Sequence, residues 1–217
     1  MNLSKSLEEN YNHIKTDFVD CSDFLIRKAK TGNREFLIMV CDGLIDSLQL
    51  SQMVVSPILR CDEIDIDTIK KSITNSVELN EAETFADCYY YVMSGFAVVL
   101  VDGEDKALAF GVQSLPARSV DVPSNEQSTK APKEAFVEVL NTNKALLRKR
   151  LKTPHLKLKQ IKLASSAPMP CVIAYMDDRA DKELVSQIMQ ALRSSNLNTL
   201  TDFGTLVPFI DTNINTM

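Results

Sequence analysis

Phe96-Ala97-Val98-Val99-Leu100-Val101, then Asp102-Gly103-Glu104, then Ala107 to Val112 is the stretch on which the fold turns. An unbroken apolar run this short, closed by a turn signal, reads as a buried strand rather than a helix. Asp-Gly supplies the chemistry of a tight hairpin turn, so Ala107 to Val112 is expected as its antiparallel partner. The same arrangement recurs where Phe36 to Cys41 runs into Asp42-Gly43. For both Asp-Gly pairs, turn geometry is preferred to a functional loop.

Outward from this hairpin, Phe24 to Ala29 and Phe36 to Cys41 are expected to pair across Thr31-Gly32-Asn33. Leu3, Leu7, Tyr11, Ile14 and Phe18 recur at steps of three and four, an amphipathic helix suited to packing on a sheet. A helix is expected from Ile45 to Leu59, with Pro57 kinking or stopping it. The carboxylates of Asp62, Glu63, Asp65 and Asp67 precede Ile69 and Ile73 and read as a solvated helix start rather than a cation site. Asn80 with Glu83 reads as a capping box opening the helix of Phe85, Cys88, Tyr89 and Val92, with Gly95 past its end.

Between Ser114 and Lys133 stand Pro116, Pro123, Pro132 and four serines, a shift in composition typical of a linker. A Pro/Ser-rich linker over 116–133 therefore separates a first subdomain, 1–115, from a second, 134–217. In the second, Phe136, Val139, Leu140 and Leu147 predict a helix opened by Pro132 and closed before Pro154. Leu156, Leu158 and Ile161, and then Cys171 to Met176, predict strands. Asp181 caps a last helix with the stripe Leu184, Val185, Ile188, Met189 and Leu192. Interleaved helices and strands give an α/β (mixed α+β) class in two small subdomains.

With 45% apolar and 24% charged residues over 217 positions, the chain has globular composition. Its net charge of -5 argues against nucleic acid, which demands clustered Lys and Arg in excess. The charge is uneven: Val139 to Met176 holds eight basic and no acidic residues, leaving 16 against 29, or -13, on the rest. Arg148, Lys149, Arg150 and Lys152 ring one predicted helix end. Complementing the helix dipole is one reading of them, and facing an anionic membrane or acidic partner is the other. The N-terminus has no apolar leader and the longest apolar run falls far short of the roughly 20 residues that span a bilayer.

No chemistry stands out. The five cysteines are odd in number, widely spaced and without a C-x-x-C, so buried thiols are expected, with no metal site. His13 and His155 lie far apart, and neither a phosphate loop nor a nucleophile elbow is present. No catalytic residue and no cofactor is expected.

Arg118-Ser119-Val120-Asp121-Val122-Pro123-Ser124-Asn125-Glu126, Ala131-Pro132-Lys133-Glu134-Ala135-Phe136 and Asn143 to Arg150, with Asp42-Gly43-Leu44, Gly95, Asp102-Gly103 and Ala174-Tyr175-Met176, resemble the A subunits of GerA-type spore germinant receptors. Ala131-Pro132 departs from that family's Gly-Pro, and Leu163-Ala164-Ser165-Ser166 from its Gly with a Thr-rich turn. The resemblance implies a non-enzymatic N-terminal domain that senses or relays a nutrient signal. Its place would be the cytosolic, spore-core side of the inner spore membrane, with the membrane spans beyond this chain. It also implies partners: B and C subunits, further copies of the A subunit, and an amino acid or sugar germinant. An assembly module that binds no small molecule is the alternative. A cleft between the subdomains is the expected place for a ligand or coupling surface. Arg118, Glu126 and Asn143 are its candidates, although an Arg118–Glu126 salt bridge that orders the linker competes with that role.

Overall fold

The structure is a computed structural model that describes residues 1–32, 34–73, 78–114, 135–164, 166–195, 197–200 and 203–214. It divides into two compact units, Met1–Val19 with Asp23–Pro154, and Asp20–Ser22 with His155–Met217. The linker expected at 116–133 lies outside the described residues. The division between units falls at Pro154/His155 instead, because the helix expected to open the second subdomain belongs to the first unit.

In the first unit, Ser6 caps α1 (Leu7–Asp17) by accepting from the Glu9 N–H. β1 (Phe24–Thr31) and β2 (Arg34–Cys41) pair antiparallel as expected, with Thr31 opposite Arg34 and Gly32 at φ +56° in the turn. α2 (Ser47–Gln49), a π-helical turn (Leu50–Val55) and α3 (Ser56–Leu59) follow one another without a break. Pro57 therefore does not stop this helix. A proline ring crowds the carbonyl four residues back, and here the turn is widened so that the Ser56 N–H reaches the Ser51 carbonyl, five back.

α4 (Ile66–Ile73) opens after Asp65, whose carboxylate accepts from the Thr68 N–H at 2.6 Å. β3 (Leu79–Ala82) takes up Asn80 and Glu81, so the helix expected to begin at Asn80 starts later. The capping box of α5 (Phe85–Val92) is Thr84 with Asp87. Asn80 is drawn into a ladder opposite Ala109, a long-range pairing that overrides its local capping tendency. β4 (Phe96–Val101) and β5 (Ala107–Gly111) form the expected hairpin, and every residue of β4 is buried. α6 (Leu140–Arg150) completes the unit. Phe136 and Val139, read as part of its stripe, precede it and are exposed.

The five strands form one antiparallel sheet in the order β1-β2-β4-β5-β3. One face presents Phe36, Val40, Ala97, Val99, Val101, Leu108 and Phe110 to Val54, Ile58, Ile64, Ile66 and Ile69. Leu37, Met39, Cys41, Val98 and Leu100 alternate to the other face and are buried as well. Rings join the layer there: Phe18 stacks on Phe24 and meets Tyr89 edge-on, and His13 lies against Phe85.

Both Asp-Gly turns seat a helix. The Asp102 carboxylate accepts from the Leu7 N–H at 3.1 Å and the Gly103 N–H reaches the Lys5 carbonyl at 2.8 Å, fixing the start of α1. Gly43 (φ +83°) lies so close to α6 that a Cβ would stand 3.1 Å from the Asn141 carbonyl and 3.2 Å from the Ala145 Cβ.

In the second unit β6 (Leu156–Leu163) and β7 (Met169–Met176) pair antiparallel. Asp20–Ser22 lies along β6: the Leu158 N–H donates to the Asp20 carbonyl and the Ser22 N–H to the Leu158 carbonyl, each at 3.1 Å. α7 (Lys182–Arg193) is capped by Asp181 as expected. A helical turn at Phe203–Thr205 and α8 (Val207–Ile214) were not legible in the sequence. Ile161, Leu163, Met189, Leu192 and Leu206 make the core. No described helix of either unit is long and apolar enough to cross a membrane.

Two glycines give a test. Gly95 and Gly103 share φ +88°, but a Cβ on Gly95 would stand 2.7 Å from the Leu44 carbonyl oxygen, whereas the nearest atom to one on Gly103 is 3.9 Å away. Gly103→Ala is expected to cost about 1–2 kcal/mol, the left-handed penalty alone, and Gly95→Ala roughly 3 kcal/mol or more. Urea unfolding of the two variants measures the difference.

Candidate functional site

The basic run at the end of α6 is the strongest sequence candidate, and the structure separates its members. Arg148 is fully buried. Its Nε donates to Asp23 Oδ2 at 2.7 Å, its Nη2 to Asp23 Oδ1 at 3.0 Å, and its Nη1 to the Thr153 carbonyl at 2.7 Å. The Cys41 thiol contacts Asp23 Oδ2 at 3.6 Å. Arg148 is thus withdrawn from the exposed basic patch to which the sequence assigned it. Its spacing on α6 turns it inward, and only a bidentate carboxylate makes a guanidinium tolerable there.

Lys149, Arg150 and Lys152 are exposed. Lys152 donates to the Ser94 hydroxyl at 2.9 Å and sits 5.2 Å from the ring centroid of Tyr90, which is itself exposed. This cation–aromatic pair beside exposed Leu151 forms an amphipathic surface on the first unit.

Of the residues assigned to a cleft, Arg118 and Glu126 lie outside the described residues. Asn143 is turned to the chain itself: it accepts from the Val137 N–H at 2.8 Å and donates to the Val137 carbonyl at 2.7 Å. Its amide pairs with backbone as a strand would, which anchors the approach to α6. Asp23 is the residue that sequence reasoning missed, since nothing local marks an aspartate whose partner lies 125 positions away.

A polar hollow of about 580 Å³ in the first unit is lined by Arg34, Lys70, Lys106 and five carboxylates, among them Asp65, Glu81 and Glu104. Each of its three cations is paired with a carboxylate. Lys70 pairs with Glu81, Arg34 with Glu104 at 3.2 Å, and Lys106 with Glu83 at 2.7 Å. The hydrogen bond from Lys70 holds the Glu81 carboxyl below its ordinary range, and the hydrogen bond that Lys106 donates to Glu83 raises Lys106. A network of exposed pairs such as this stabilises weakly and leaves no unpaired cation among the lining residues for an anionic ligand.

In the second unit the ligand atoms of His155, Asp177 and Asp178 lie within 4.8 Å of one another. Cations already occupy this cluster: Lys157 Nζ stands 3.4 Å from Asp177 and Arg179 Nε 3.8 Å from Asp178. His155 Nδ1 is 2.8 Å from Asp177 Oδ1. Burial in the first unit pushes the Cys88 thiol up to about 12, and burial raises Cys171 as well, so neither is a ready nucleophile.

Set against known proteins, residues 12–217 match the sequence model described as Bacillus/Clostridium GerA spore germination protein. The chain belongs to the GerA family. Among GerA relatives, Spore germination protein B1 of Bacillus subtilis is 30% identical over 97% of this chain and 45% of its own length. Spore germination protein KA of the same organism is 24% identical over 96% of the chain and 40% of its length. The chain thus spans less than half of these relatives. In fold it is similar to the crystal structure of the N-terminal domain of the A subunit of the Bacillus megaterium spore germinant receptor GerK3, with a TM-score of 0.68 and 24% identity over 94% of this chain and 83% of that one. The family expected from the resemblance therefore stands, as does the mixed α/β class.

Asp177 offers a pH test. Burial pushes its carboxyl upward, but the hydrogen bond from His155 and the charge of Lys157 outweigh this and leave it below the ordinary carboxylate range. A depressed folded value contributes stability that is present above the unfolded value and lost as pH falls through the folded one. On acidification below about pH 4, the wild-type chain is expected to lose more stability than Asp177→Asn, as read by urea unfolding at a series of pH values.

Proposed function

We propose that this chain is the part of a spore germinant receptor A subunit that senses or relays the germinant signal. It would do so on the spore-core side of the inner membrane, in complex with the receptor's B and C subunits. The observation that supports it is the match of nearly the whole chain to the GerA family, joined to the fold of an A-subunit N-terminal domain. The remaining half or more of the full-length protein would carry the membrane part. The second unit's Asp177 cluster is internally neutralised, which favours a non-catalytic role.

In this reading the surface of Tyr90, Lys149, Arg150 and Lys152 faces the membrane or an acidic partner. Each cation near an anionic lipid surface is worth about 1 kcal/mol, so reversing their charge changes both attraction and register. A relay requires that a partner bind two states of the domain unequally.

Spores that make the full-length receptor with Lys149→Glu, Arg150→Glu and Lys152→Glu together test the proposal. The expected result is normal receptor abundance in spore membranes with the germinant response reduced at least about tenfold. An unchanged response at normal abundance would remove this surface from the relay. Loss of the receptor complex itself would favour the assembly module instead.

A further inference from the structure

β1 is an edge strand of the sheet, and the helical cover of the first unit does not close over it. By strand alternation Leu25, Arg27 and Ala29 share one face with their cross-strand partners Val40, Ile38 and Phe36. Across from them stand Ile45, Ser47, Leu50, Ser51 and Val55, the last three within the π-helical turn. Between the two walls is a cavity of about 470 Å³. That volume falls within the roughly 300–1,000 Å³ of sites that take small molecules.

The cavity owes its existence to the sequence of β1. Ala29 is small, and Arg27 occupies the register position opposite Ile38 where an apolar side chain would complete the layer. Leu25 is left 44% exposed beside it. The opposite wall is a π-turn, a feature that recurs at functional sites in otherwise regular helices.

The polar groups around this apolar body are few and unequal. The Arg27 guanidinium has no hydrogen-bond or ion-pair partner among the described residues, whereas the Asp42 carboxylate at the rim already accepts from the Asn141 amide at 3.4 Å. Lys28 is directed elsewhere, paired with Glu8 and lying 4.0 Å from the Tyr11 ring centroid. One unengaged guanidinium at the mouth of an apolar pocket is the pattern that recognises a planar anion with an apolar body.

We propose that this cavity binds a small apolar carboxylate, its chain against Ile38, Val40, Ile45 and Leu50 and its head group on Arg27. The hydroxyls of Ser47 and Ser51 lie at the same site as further donors. This holds whether or not the domain relays a germinant signal, because it rests on the first unit alone.

Calorimetric titration of the whole chain with decanoate, kept below the concentration at which it forms micelles, tests it. Saturable one-to-one binding is expected, weakened about tenfold by Arg27→Gln, the loss of one charge-assisted interaction, and unchanged by Lys30→Gln on the opposite face of the same strand. Ser51→Trp, which places a side chain in the cavity, should abolish binding in a protein whose circular dichroism is unaltered. Decanol should bind wild type no better than decanoate binds Arg27→Gln. Absence of saturable binding to the folded chain, equal affinity for decanol, or full affinity in Arg27→Gln would each overturn the proposal.

Discussion

A guanidinium with no solvent exposure is buried within the first unit, and the unit's arrangement follows from how it is satisfied. Arg148 meets both oxygens of Asp23 and the Thr153 carbonyl. Removing two ions from water costs several kcal/mol each, and only paired, hydrogen-bonded geometry returns it. The consequence is positional. Asp23 immediately precedes β1 and Arg148 lies in the last turn of α6, so the pair ties the sheet's edge strand to a helix that follows it by more than a hundred residues.

Seating α6 there makes the Asp42-Gly43 turn more than the end of β2. Gly43 admits the helix backbone at a distance where a side chain would clash, and Asn141 reaches back to the Asp42 carboxylate. The Asp102-Gly103 turn holds α1 by hydrogen bonds instead, the Asp102 carboxylate accepting from the Leu7 N–H and the Gly103 N–H reaching the Lys5 carbonyl. Both dipeptides thus seat a helix, but only Gly43 does so by leaving room for its backbone.

Much of this was legible. The apolar run of β4, the hairpins, the stripe of α5 and the Asp181 cap are local signals with local physical causes. The failures were of a different kind. Asn80 with Glu83 satisfied the capping pattern as well as Thr84 with Asp87, and only the pairing of β3 with β5 decides between them. Pro57 was read as a kink or a stop because widening to a π-turn is invisible in composition. Arg148 looked like its exposed neighbours Lys149 and Arg150, since the face of a helix that turns inward depends on a partner far along the chain. The subdomain boundary failed for the same reason, because α6 follows the proline-rich stretch in sequence but is held by Asp23 in space.

For a GerA family domain this architecture separates a rigid interior from two addressable surfaces: a cation–aromatic patch at the end of α6 and an apolar cavity beneath the π-turn. Both depend on α6 and β1 being held where the buried pair puts them. The most direct test is a double-mutant cycle on the whole chain, with Arg148→Met, Asp23→Leu and the two combined, read by urea unfolding. The account predicts that each single change costs about 3–5 kcal/mol, by stranding a buried charge, and that the double change costs less than their sum by several kcal/mol. Single costs under about 1 kcal/mol that simply add, the behaviour of an exposed pair, would contradict it.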